Sequence, residues 1–416
     1  MDRKHPAAFA SIPDAVAAVA RGEIVVVVDD EDRENEGDLI MASEAATAEK
    51  IAFFVRHTSG VICAPLTGER LDELDIPLMV RENNTEAQRT AFTYTVDYRH
   101  GTSTGISAAD RAATIQALID PATRPADLAR PGHIFPLRYA DGGVLKRAGH
   151  TEAAVDLARM AGLYPAGVLC EIVNDDGTMA RVPDLVEFCK EHDLLMISIA
   201  ELIRYRRQTE KLVRRVSEAR IPTNWGDFDC YVYESVLDGE QHVAFVKGAV
   251  QGEHDVLVRV HSECLTGDIF GSKRCDCGEQ LDSAMSQIAD DGLGVLVYLR
   301  GHEGRGIGIG HKIRAYSLQD QGHDTVDANL ELGLPVDSRE YGIGAQILVD
   351  LGITTMRYMT NNPAKYGGIE GFGLEITNRV PLQSTPRPEN IEYLRTKRER
   401  MGHLLEGLDD LADRDG

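Results

Sequence analysis

The sequence predicts an α/β to α+β protein of two mixed-sheet domains joined by a basic linker that we expect to be helical. Two observations carry this prediction. Short β-branched runs alternate with stretches of helical periodicity along most of the 416 residues. A strongly basic segment then interrupts an acidic chain near its middle. The predicted domains are residues 1–202 and 203–416, with the linker at about 203–222.

The elements of the first half follow from local patterns. Residues 22–28 predict a buried strand, because a β-branched run is bounded by glycine and acids. Residues 151–162 place apolar residues at helical spacing between a capping threonine and a terminal glycine. Residues 185–192 predict a helix and residues 194–199 a strand. A helix over residues 201–220 is expected to close this half.

The linker prediction rests on charge. Residues 201–220 hold seven Lys/Arg against three Asp/Glu, and Ile221-Pro222-Thr223 follow them. Such a shift in composition beside a proline is typical of a domain boundary. Beyond it, alternating strands and helices are expected from Phe228 onward. The predicted strands are 294–299 and 354–359, and the predicted helices are 312–319 and 341–351.

Composition excludes several classes of protein. No apolar stretch approaches the roughly 20 residues that span a bilayer, and the N-terminus lacks the apolar region of a signal peptide. Seven cysteines, three of them clustered, fit a reducing compartment, so we expect a cytoplasmic protein. The net charge of −23 argues against nucleic-acid binding. We therefore expect neither a nucleic-acid nor a membrane partner.

The first chemical motif is DDEDRENEGDLI, residues 29–40, which carries seven carboxylates directly after the first predicted strand. Like charges at this density repel one another unless a cation or a basic partner neutralises them. A calcium loop beginning at Asp32 would need glutamate at its twelfth position, where Ser43 stands. The EF-hand pattern is therefore excluded.

Residues further along the first half complete a site for a cation and an anion. Two glycine-bearing loops, RPGH and KRAGHT, present His133 and His150 beside arginines. Carboxylates with a histidine suit a hard cation such as magnesium. Arg147 and Thr151 could hold a phosphate where a helix is predicted to begin. Glu171 ends an apolar run, where α/β folds tend to display functional side chains.

These motifs, in this order and spacing, resemble 3,4-dihydroxy-2-butanone 4-phosphate synthase over residues 10–202. That family converts ribulose 5-phosphate to a four-carbon phosphate and formate with magnesium or manganese. The resemblance implies metal ligands at Glu34 and His150 and catalytic roles for His133 and Glu171. The general base stays open, with Glu36 and Asp38 among the carboxylates suited to proton transfer. The implied substrate contacts are Arg33, Glu34, Asp38, Arg147, Ala148, Gly149, His150, Thr151 and Glu171.

The second half carries a cysteine motif, HSECLTGDIFGSKRCDCG, at residues 261–278. Cys264, Cys275 and Cys277 have the spacing C-x10-C-x-C, which differs from the paired C-x2-C of a zinc ribbon. Three thiolates nevertheless predict zinc. A closed structural site would take His261 as its fourth ligand, whereas an open site would keep a water for hydrolysis.

Two polar loops of the second half suit phosphates. RGHEGRGIGIGHK, residues 300–312, is a glycine-rich turn with Arg300, Arg305 and Lys312, and it follows a predicted strand. TNNPAK, residues 360–365, repeats the arrangement with a lysine after another strand. Both loops predict a binding site for a phosphorylated ligand.

HSECLTGD, RCDCG, EGRGIG, KIRAY, LQDQG and TNNPAK together resemble GTP cyclohydrolase II over residues 208–405. That family opens the guanine imidazole ring with zinc and releases formate and pyrophosphate. The resemblance implies zinc ligands at Cys264, Cys275 and Cys277 with water as the fourth, and magnesium accompanying GTP. The implied GTP contacts are Arg259, Val260, His261, Ser262, Glu263, Gln280, Glu303, Gly304, Arg305, Thr325, Thr360 and Lys365.

The resemblance also implies three catalytic residues in this half. Tyr316 matches a tyrosine near the reacting ring, Asp337 a proton acceptor and Arg339 a nucleophile on the α-phosphorus. Arginine, with a pKa above about 12, is a poor nucleophile unless a neighbour deprotonates it. Arg339 could equally stabilise charge on the transferring phosphorus.

The two resemblances together imply a bifunctional enzyme of riboflavin biosynthesis that acts on ribulose 5-phosphate and GTP. Both families suggest a homodimer. Two alternatives remain open from the sequence. Only one half could turn over while the other is a scaffold, or the chain could be a zinc-stabilised nucleotide-binding regulator without chemistry.

Overall fold

The computed structural model describes residues 9–31, 33–319, 342–362, 372–383, 385–402 and 404. Two compact units divide the chain, Met1–Thr209 and Glu210–Gly416. Each unit contains a seven-stranded sheet with both parallel and antiparallel pairs. The predicted fold class of two mixed-sheet domains is therefore confirmed.

The first sheet is built from seven short strands. They are β1 (Val25–Val28), β2 (Gly37–Ala42), β3 (Cys63–Leu66), β4 (Val96–Tyr98), β5 (Leu128–Arg138), β6 (Gly167–Glu171) and β7 (Leu195–Ser198). Their order across the sheet is β4-β5-β3-β6-β2-β1-β7. β1 is parallel to β7 and β3 to β5, whereas the other pairs are antiparallel.

Helices cover both faces of the first sheet. They are α1 (Ile12–Ala20), α2 (Ala48–His57), α3 (Gly68–Glu73), α4 (Ala108–Ile119), α5 (His150–Met160), α6 (Val182–His192) and α7 (Ile199–Thr209). Val26 and Val28 of β1 pack into the cluster with α2, α4 and α6, whereas Val25 and Val27 pack with α1, α5 and α7. Burial on both faces explains why β1 is an unbroken apolar run.

One predicted cap is wrong. Thr151 was expected to cap the helix that follows, but α5 begins at His150 and the cap position is Gly149. The His150 ring is fixed by a hydrogen bond from its Nε2 to the Val27 carbonyl oxygen, 3.1 Å away. The helix cap therefore lies two residues earlier than the sequence pattern predicts, at Gly149 rather than Thr151.

The second sheet is parallel on one side and antiparallel on the other. Its strands are β8 (Val213–Thr223), β9 (Gly226–Ser235), β10 (Gln241–Lys247), β11 (Val256–Ser262), β12 (Gly294–Leu299), β13 (Thr355–Met359) and β14 (Glu375–Val380). They follow the order β14-β13-β11-β12-β10-β9-β8. The four strands from β14 to β12 are parallel, and β10, β9 and β8 continue the sheet antiparallel.

Helices of the second unit pack on this sheet and carry its motifs. They are α8 (Leu265–Asp268), α9 (Cys277–Asp291), α10 (Gly308–Gln319), α11 (Gly342–Asp350) and α12 (Ile391–Met401). Met285 and Ile288 of α9 pack against Leu257 and Leu296 of the sheet. None of the described helices has both the length and the apolar character needed to cross a bilayer.

The predicted helical linker is wrong. Helix α7 ends at Thr209, and the basic residues beyond it form β8, which pairs along its length with β9. The positive charges face acids on neighbouring elements: Arg214 pairs with Glu234 at 2.6 Å and Arg215 with Asp350 at 3.2 Å. Cross-strand pairing of this kind stabilises an exposed outer strand. The local charge pattern therefore reflects the partners of the strand, which the linear sequence does not show.

A buried polar network fixes α7 to the segment before α5. Asp156 and Arg206 are both buried, and Arg206 Nη1 lies 2.6 Å from Asp156 Oδ2. The same carboxylate accepts hydrogen bonds from the Tyr139 hydroxyl at 2.9 Å and the Val144 amide at 2.8 Å. The network positions the short helical turn Gly143–Leu145, which leads into the KRAGHT loop.

Replacing Arg206 by methionine would leave the Asp156 carboxylate buried without its cationic partner. Breaking a buried ion pair in this way costs roughly 3–5 kcal/mol. We expect the free energy of unfolding of the first unit to fall by about that amount. Urea denaturation followed by far-UV circular dichroism measures the change.

Arg204→Met is the matched control, because Arg204 lies in the same helix and pairs with Glu201 at the surface. An exposed pair contributes only about 0–1 kcal/mol. Trp225, the only tryptophan of the chain, lies in the second unit, so its fluorescence reports that unit separately. A loss for Arg206→Met no larger than that for Arg204→Met would contradict the role of the network.

Four aromatic rings meet between α2 and α6. The His57 ring centroid lies 4.6 Å from that of Phe53 and 4.7 Å from that of His192, and Phe188 completes the group. Burial, with the nearby His192 and Arg56, lowers the pKa of His57 below its ordinary value. The folded protein therefore favours neutral His57.

Lowering the pH should destabilise the first unit through His57. A histidine with a lowered folded pKa contributes fully above its unfolded pKa, about 6.5, and the contribution is lost as the pH falls toward the folded pKa. We expect the free energy of unfolding to drop more in the wild type than in His57→Phe, which cannot titrate. Urea unfolding at a series of pH values tests this, and equal pH slopes for the two proteins would disprove it.

Candidate active sites

The first candidate site lies at one end of the first sheet, where β1 and β6 end and β2 and β3 begin. Val28 pairs with Gly37, and Glu171 pairs with Asp38. The acidic stretch is therefore the turn between two buried antiparallel strands, and Glu171 lies beside it. We call this region the acidic end of the first sheet.

Asp29 organises the acidic turn. Its carboxylate accepts hydrogen bonds from the backbone amides of Glu34 at 3.1 Å and Glu36 at 2.9 Å, and it pairs with Arg33 Nη1 at 2.9 Å. Asn35 adopts a φ of 55°, a left-handed conformation that asparagine tolerates better than most residues. The turn thus folds Glu34 back toward the strand ends.

Three side chains at the acidic end could hold a metal ion. One donor atom from each of Asp29, Glu34 and His150 lies within 4.8 Å of the others. Because His150 Nε2 donates to the Val27 carbonyl, Nδ1 is left facing Glu34 Oε2 at 3.7 Å and Asp38 Oδ2 at 3.9 Å. Imidazole metal ligands are commonly fixed in this way. The oxygen and nitrogen donors fit a hard divalent cation.

The electrostatics of the acidic end also favour a cation. Burial raises the pKa of Asp38, and the Glu171, Glu34 and Glu36 carboxylates raise it further against the opposing effect of His150. Burial acts to lower the pKa of His150, but the Asp38 and Glu34 carboxylates raise it above its ordinary value. Several negative groups thus compete for one proton or cation.

The two predicted catalytic residues lie toward the same end of the sheet. Glu171 Oε2 accepts a hydrogen bond from the Ser59 hydroxyl at 2.7 Å. His133 stands two residues before Phe135, which pairs with Cys63 at the start of β3. The described contacts of the His133 ring are with Asp97, whose Oδ2 lies 2.7 Å from Nδ1.

Gly132 makes the close crossing beside His133 possible. A Cβ at this position would lie 2.0 Å from the Val96 carbonyl carbon of the neighbouring strand. The glycine of the RPGH motif is therefore required for β5 to approach β4. Asp97 is then close enough for its Oδ1 to accept the His133 backbone amide at 2.8 Å.

The N-terminus of α5 carries the residues that the sequence predicts to bind an anion. Ala148 and Gly149 precede the helix, and Thr151 lies buried in its first turn. Amides at a helix start favour a negatively charged group. Arg147 lies beside them, where Nη1 pairs with Glu152 at 2.7 Å and Nη2 donates to Thr90 Oγ1 at 3.1 Å.

The second candidate site lies where three parallel strands end. Cys264 follows β11, the glycine-rich turn follows β12, and Thr360 follows β13. The carboxyl ends of parallel strands meet at one end of a sheet, and ligands of α/β folds bind there. The topology thus collects motifs that are far apart in the sequence.

The three predicted zinc ligands form one cluster. One sulfur from each of Cys264, Cys275 and Cys277 lies within 4.8 Å of the others, and Cys264 and Cys275 are 3.7 Å apart. Gly267 lies against them, since a Cβ there would meet Cys275 Sγ at 2.9 Å. The small cradle and the soft donors fit zinc.

Lys312 lies in the thiol cluster rather than in an exposed phosphate loop. Its Nζ is 3.1 Å from Cys264 Sγ, 2.8 Å from Thr266 Oγ1 and 2.6 Å from Glu303 Oε1. Glu303 also accepts the Leu265 amide at 2.6 Å. Hydrogen bonds from Cys275 and Cys277, together with the Lys312 ammonium, lower the pKa of Cys264. The Lys312 ammonium therefore favours the thiolate form of Cys264, which is the form in which a cysteine can bind a metal.

His261 is not a member of the thiol cluster. Its Nε2 lies 3.1 Å from Asp268, which also accepts the Tyr298 hydroxyl at 2.9 Å and the Cys264 amide at 3.0 Å. Among the described residues the group of metal donors contains the three thiols alone. The described contact of His261 Nε2 is thus with Asp268 rather than with the thiols.

Several predicted GTP contacts line the same strand ends. Arg259 Nη2 donates to Gln280 Oε1 at 2.7 Å, and both side chains are buried. Glu263 Oε2 accepts the Gly301 amide at 2.8 Å. Val260 packs in the core, and Ser262 Oγ lies 3.4 Å from His302 Nδ1. In the glycine-rich turn, Gly304 adopts a φ of 59°. After β13, Thr360 Oγ1 accepts a hydrogen bond from the Asn362 amide at 3.0 Å.

Tyr316 lies close to the thiol cluster on α10. Lys312 Nζ is 5.7 Å from its ring centroid, and the Arg274 guanidinium carbon is 5.1 Å away. Burial raises the pKa of Tyr316 to about 12. The phenol therefore keeps its proton at neutral pH and can donate a hydrogen bond.

Four predicted residues of this half lie outside the described residues: Thr325, Asp337, Arg339 and Lys365. The side chain of Arg305 lies outside them as well. Sequence reasoning, in turn, missed three positions that the structure places at the sites. Asp29 directly follows a predicted strand and could have been found. Ser59 comes close through its hydrogen bonds to Glu171, and Asp97 through the register of β4 with β5, and neither is visible in the sequence.

Two family models match the chain. The model of 3,4-dihydroxy-2-butanone 4-phosphate synthase covers residues 13–205, and that of GTP cyclohydrolase II covers residues 214–381. A solved two-domain 3,4-dihydroxy-2-butanone 4-phosphate synthase from A. baumannii is 37% identical, with a TM-score of 0.68 over 89% of this chain and 99% of that chain. The similarity thus extends over both halves.

Two curated relatives are similar along nearly the whole chain. A chloroplastic bifunctional riboflavin biosynthesis protein of Arabidopsis thaliana is 63% identical over 397 residues, 95% of this chain and 73% of the relative. Riboflavin biosynthesis protein RibBA of Salinispora arenicola is 63% identical over 398 residues, 96% of this chain and 94% of the relative. The chain therefore belongs to the family of bifunctional riboflavin biosynthesis proteins, which join a 3,4-dihydroxy-2-butanone 4-phosphate synthase domain to a GTP cyclohydrolase II domain.

Proposed function

We propose that each half catalyses its own reaction. The first half converts D-ribulose 5-phosphate to 3,4-dihydroxy-2-butanone 4-phosphate and formate. The second half hydrolyses GTP to 2,5-diamino-6-(5-phosphoribosylamino)pyrimidin-4-one, formate and pyrophosphate. One observation carries the proposal: each unit holds its own group of metal donors, oxygen and imidazole in the first and three thiols in the second.

In the first half, Glu34 and His150 would hold magnesium or manganese, with Asp29 beside them. Such a cation supplies charge stabilisation for the enediol that forms next to the substrate carbonyl. Glu171, held by Ser59, is placed to hold or move a proton. His133 is oriented through Nδ1 by Asp97, so its Nε2 is left for proton transfer.

The remaining groups of the first site bind and orient the substrate. The residues Arg147 to Thr151, at the start of α5, would bind the phosphate. Arg33 and Asp38 face the sugar from the acidic turn and from β2. Asp38 and Glu36, whose pKa values are raised mainly by burial, are candidates for the general base.

In the second half, Cys264, Cys275 and Cys277 would hold zinc. Zinc supplies a Lewis acid that activates water for attack on the guanine imidazole ring. Lys312 offsets part of the negative charge of the thiolates. Tyr316, protonated beside the cluster, can donate a hydrogen bond to the ring that opens.

The nucleotide would lie over the strand ends beside the thiol cluster, with magnesium accompanying its phosphates. The twelve GTP contacts named from the sequence are retained as part of this proposal. Asp337 would act as proton acceptor, and Arg339 would act on the α-phosphorus as nucleophile or as charge stabiliser. We also propose a cytoplasmic homodimer without nucleic-acid or membrane partners, on the basis of composition and the family resemblance.

Glu34→Gln should abolish formate release from ribulose 5-phosphate, because the variant loses a charged metal ligand. Altering groups that merely support metal ligands costs about 10–100-fold, so loss of a ligand should cost more than about 100-fold. A coupled formate assay with magnesium in excess measures it. Glu31→Gln, at an exposed position of the same turn, is the matched control. Retention of activity by Glu34→Gln would contradict the assignment.

Cys264→Ser should abolish pyrophosphate release from GTP and lower the bound zinc, because one of three thiolates is lost. Ribulose 5-phosphate turnover by the same sample should stay at the wild-type rate. Zinc content by elemental analysis and a pyrophosphate assay measure the two effects. Cys230→Ser is the control, since Cys230 is a buried packing cysteine of β9. If Cys264→Ser kept full zinc and full turnover, the zinc site would lie elsewhere.

A further inference from the structure

A buried lysine of α12 reaches the cysteine motif. The Lys397 Nζ lies 2.6 Å from Asp276 Oδ1, and both side chains are buried. Asp276 stands between Cys275 and Cys277 in the sequence, at the start of α9. The match to the cyclohydrolase family model ends at residue 381, so α12 lies beyond it.

The contact continues from Asp276 to the strand ends. Gln280 Nε2 donates to Asp276 Oδ2 at 2.7 Å, and Gln280 Oε1 accepts from Arg259 Nη2 at 2.7 Å. Arg259 Nη1 then donates to the Met359 carbonyl oxygen at 2.9 Å. A chain of short polar contacts therefore joins α12 to the cysteine motif, to two predicted GTP contacts and to the end of β13.

The residues that flank α12 make further contacts with the same elements. The Thr385 amide donates to Glu279 Oε2 at 3.0 Å, and Arg387 pairs with the same carboxylate. Asn361 and Leu382 exchange side-chain-to-backbone hydrogen bonds, and the Leu404 amide donates to the Asn361 carbonyl at 2.8 Å. The described residues from Leu382 to Leu404, here called the C-terminal brace, thus contact both α9 and the loop after β13.

We propose that the C-terminal brace is part of the cyclohydrolase site, with Lys397 as the positioning residue that holds Asp276 and, through it, the zinc ligands and the Arg259–Gln280 pair. The inference rests on the proposed cyclohydrolase function of the second half. It adds an element on which neither the sequence motifs nor the family match placed a role.

Charge explains why the site needs this lysine. Three thiolates and the Asp276 and Glu303 carboxylates would bring five negative charges close together, and zinc alone would offset only two of them. The Lys312 ammonium lies against Cys264 and the Lys397 ammonium lies against Asp276, so each lysine offsets part of the negative charge. A buried ion pair adds little net stability compared with apolar packing, but loss of one partner leaves an uncompensated charge. Partners of this kind orient metal ligands.

Lys397→Met tests the proposal in the full-length protein. The variant should lower the apparent affinity for zinc, measured by competition with a chromophoric chelator, by about 10–100-fold. With zinc in excess, KM for GTP should rise more than kcat falls, because the Arg259–Gln280 pair loses its support. Lys397→Arg should restore much of both properties. Arg398→Met is the matched control, since Arg398 lies next in the helix and pairs with Glu399.

Asp276→Asn closes a double-mutant cycle with Lys397→Met. If the two residues act as a unit, the double variant should bind zinc no more weakly than Lys397→Met alone. Fully additive losses would overturn the proposal. So would zinc affinity and GTP kinetics of Lys397→Met that match those of Arg398→Met, even if the melting temperature falls, because that pattern marks a purely structural residue.

Two further readouts keep the test decisive. Trp225 fluorescence reports folding of the second unit. If Lys397→Met does not fold, the neutral Lys397→Gln variant carries the same test, and a zinc affinity equal to that of Arg398→Met would overturn the proposal. Wild-type affinity in a folded Lys397→Met variant overturns the proposal. Failure of the wild type to consume GTP would instead reject the proposed function, while the chelator competition would still measure the effect of Lys397 on zinc.

Discussion

Both candidate sites depend on one constraint: negatively charged donors crowd against the ends of a buried sheet, where partial burial limits screening by solvent. The acidic end of the first sheet and the thiol cluster of the second sheet both offset part of this negative charge with a nearby group. Each places a cationic side chain against its donors, Arg33 in the first unit and Lys312 in the second. Each still has more negative than positive charge, and that excess provides affinity for a metal ion.

The order of the strands decides which side chains lie close enough to form each site. In the first unit, antiparallel pairing brings the turn after β1 beside the last residue of β6, so residues more than a hundred positions apart become neighbours. In the second unit, parallel strands bring three separate loops to one end of the sheet. The two units reach similar arrangements of donors with different topologies. In both units the candidate site lies at the ends of strands, although the strand orders of the two sheets differ.

Much of the fold and site could be predicted because the signals are local. The predicted strand at 294–299 coincides with β12, and the three cysteines predicted to bind zinc, which lie within one short motif, are close together. The predictions that were wrong or missing concern residues whose contacts are distant in the sequence. The basic residues of β8 were predicted to be helical because Glu234 and Asp350, which face them, are not visible from local charge. Asp97 and Ser59 were missed for the same reason. Lys312 was predicted to bind phosphate because its contact with Cys264, 48 positions away, is not visible in the sequence.

The Cys-Asp-Cys spacing at the start of α9 has a consequence for how this sequence can vary. The two sulfurs belong to the thiol cluster, while the Asp276 carboxylate between them contacts Lys397, 121 positions away. The side chains of this tripeptide therefore make two separate sets of contacts, one within the thiol cluster and one with Lys397. A lineage that exchanged the central aspartate for an uncharged residue would leave the distant ammonium stranded in the interior, so the two positions should change together or not at all.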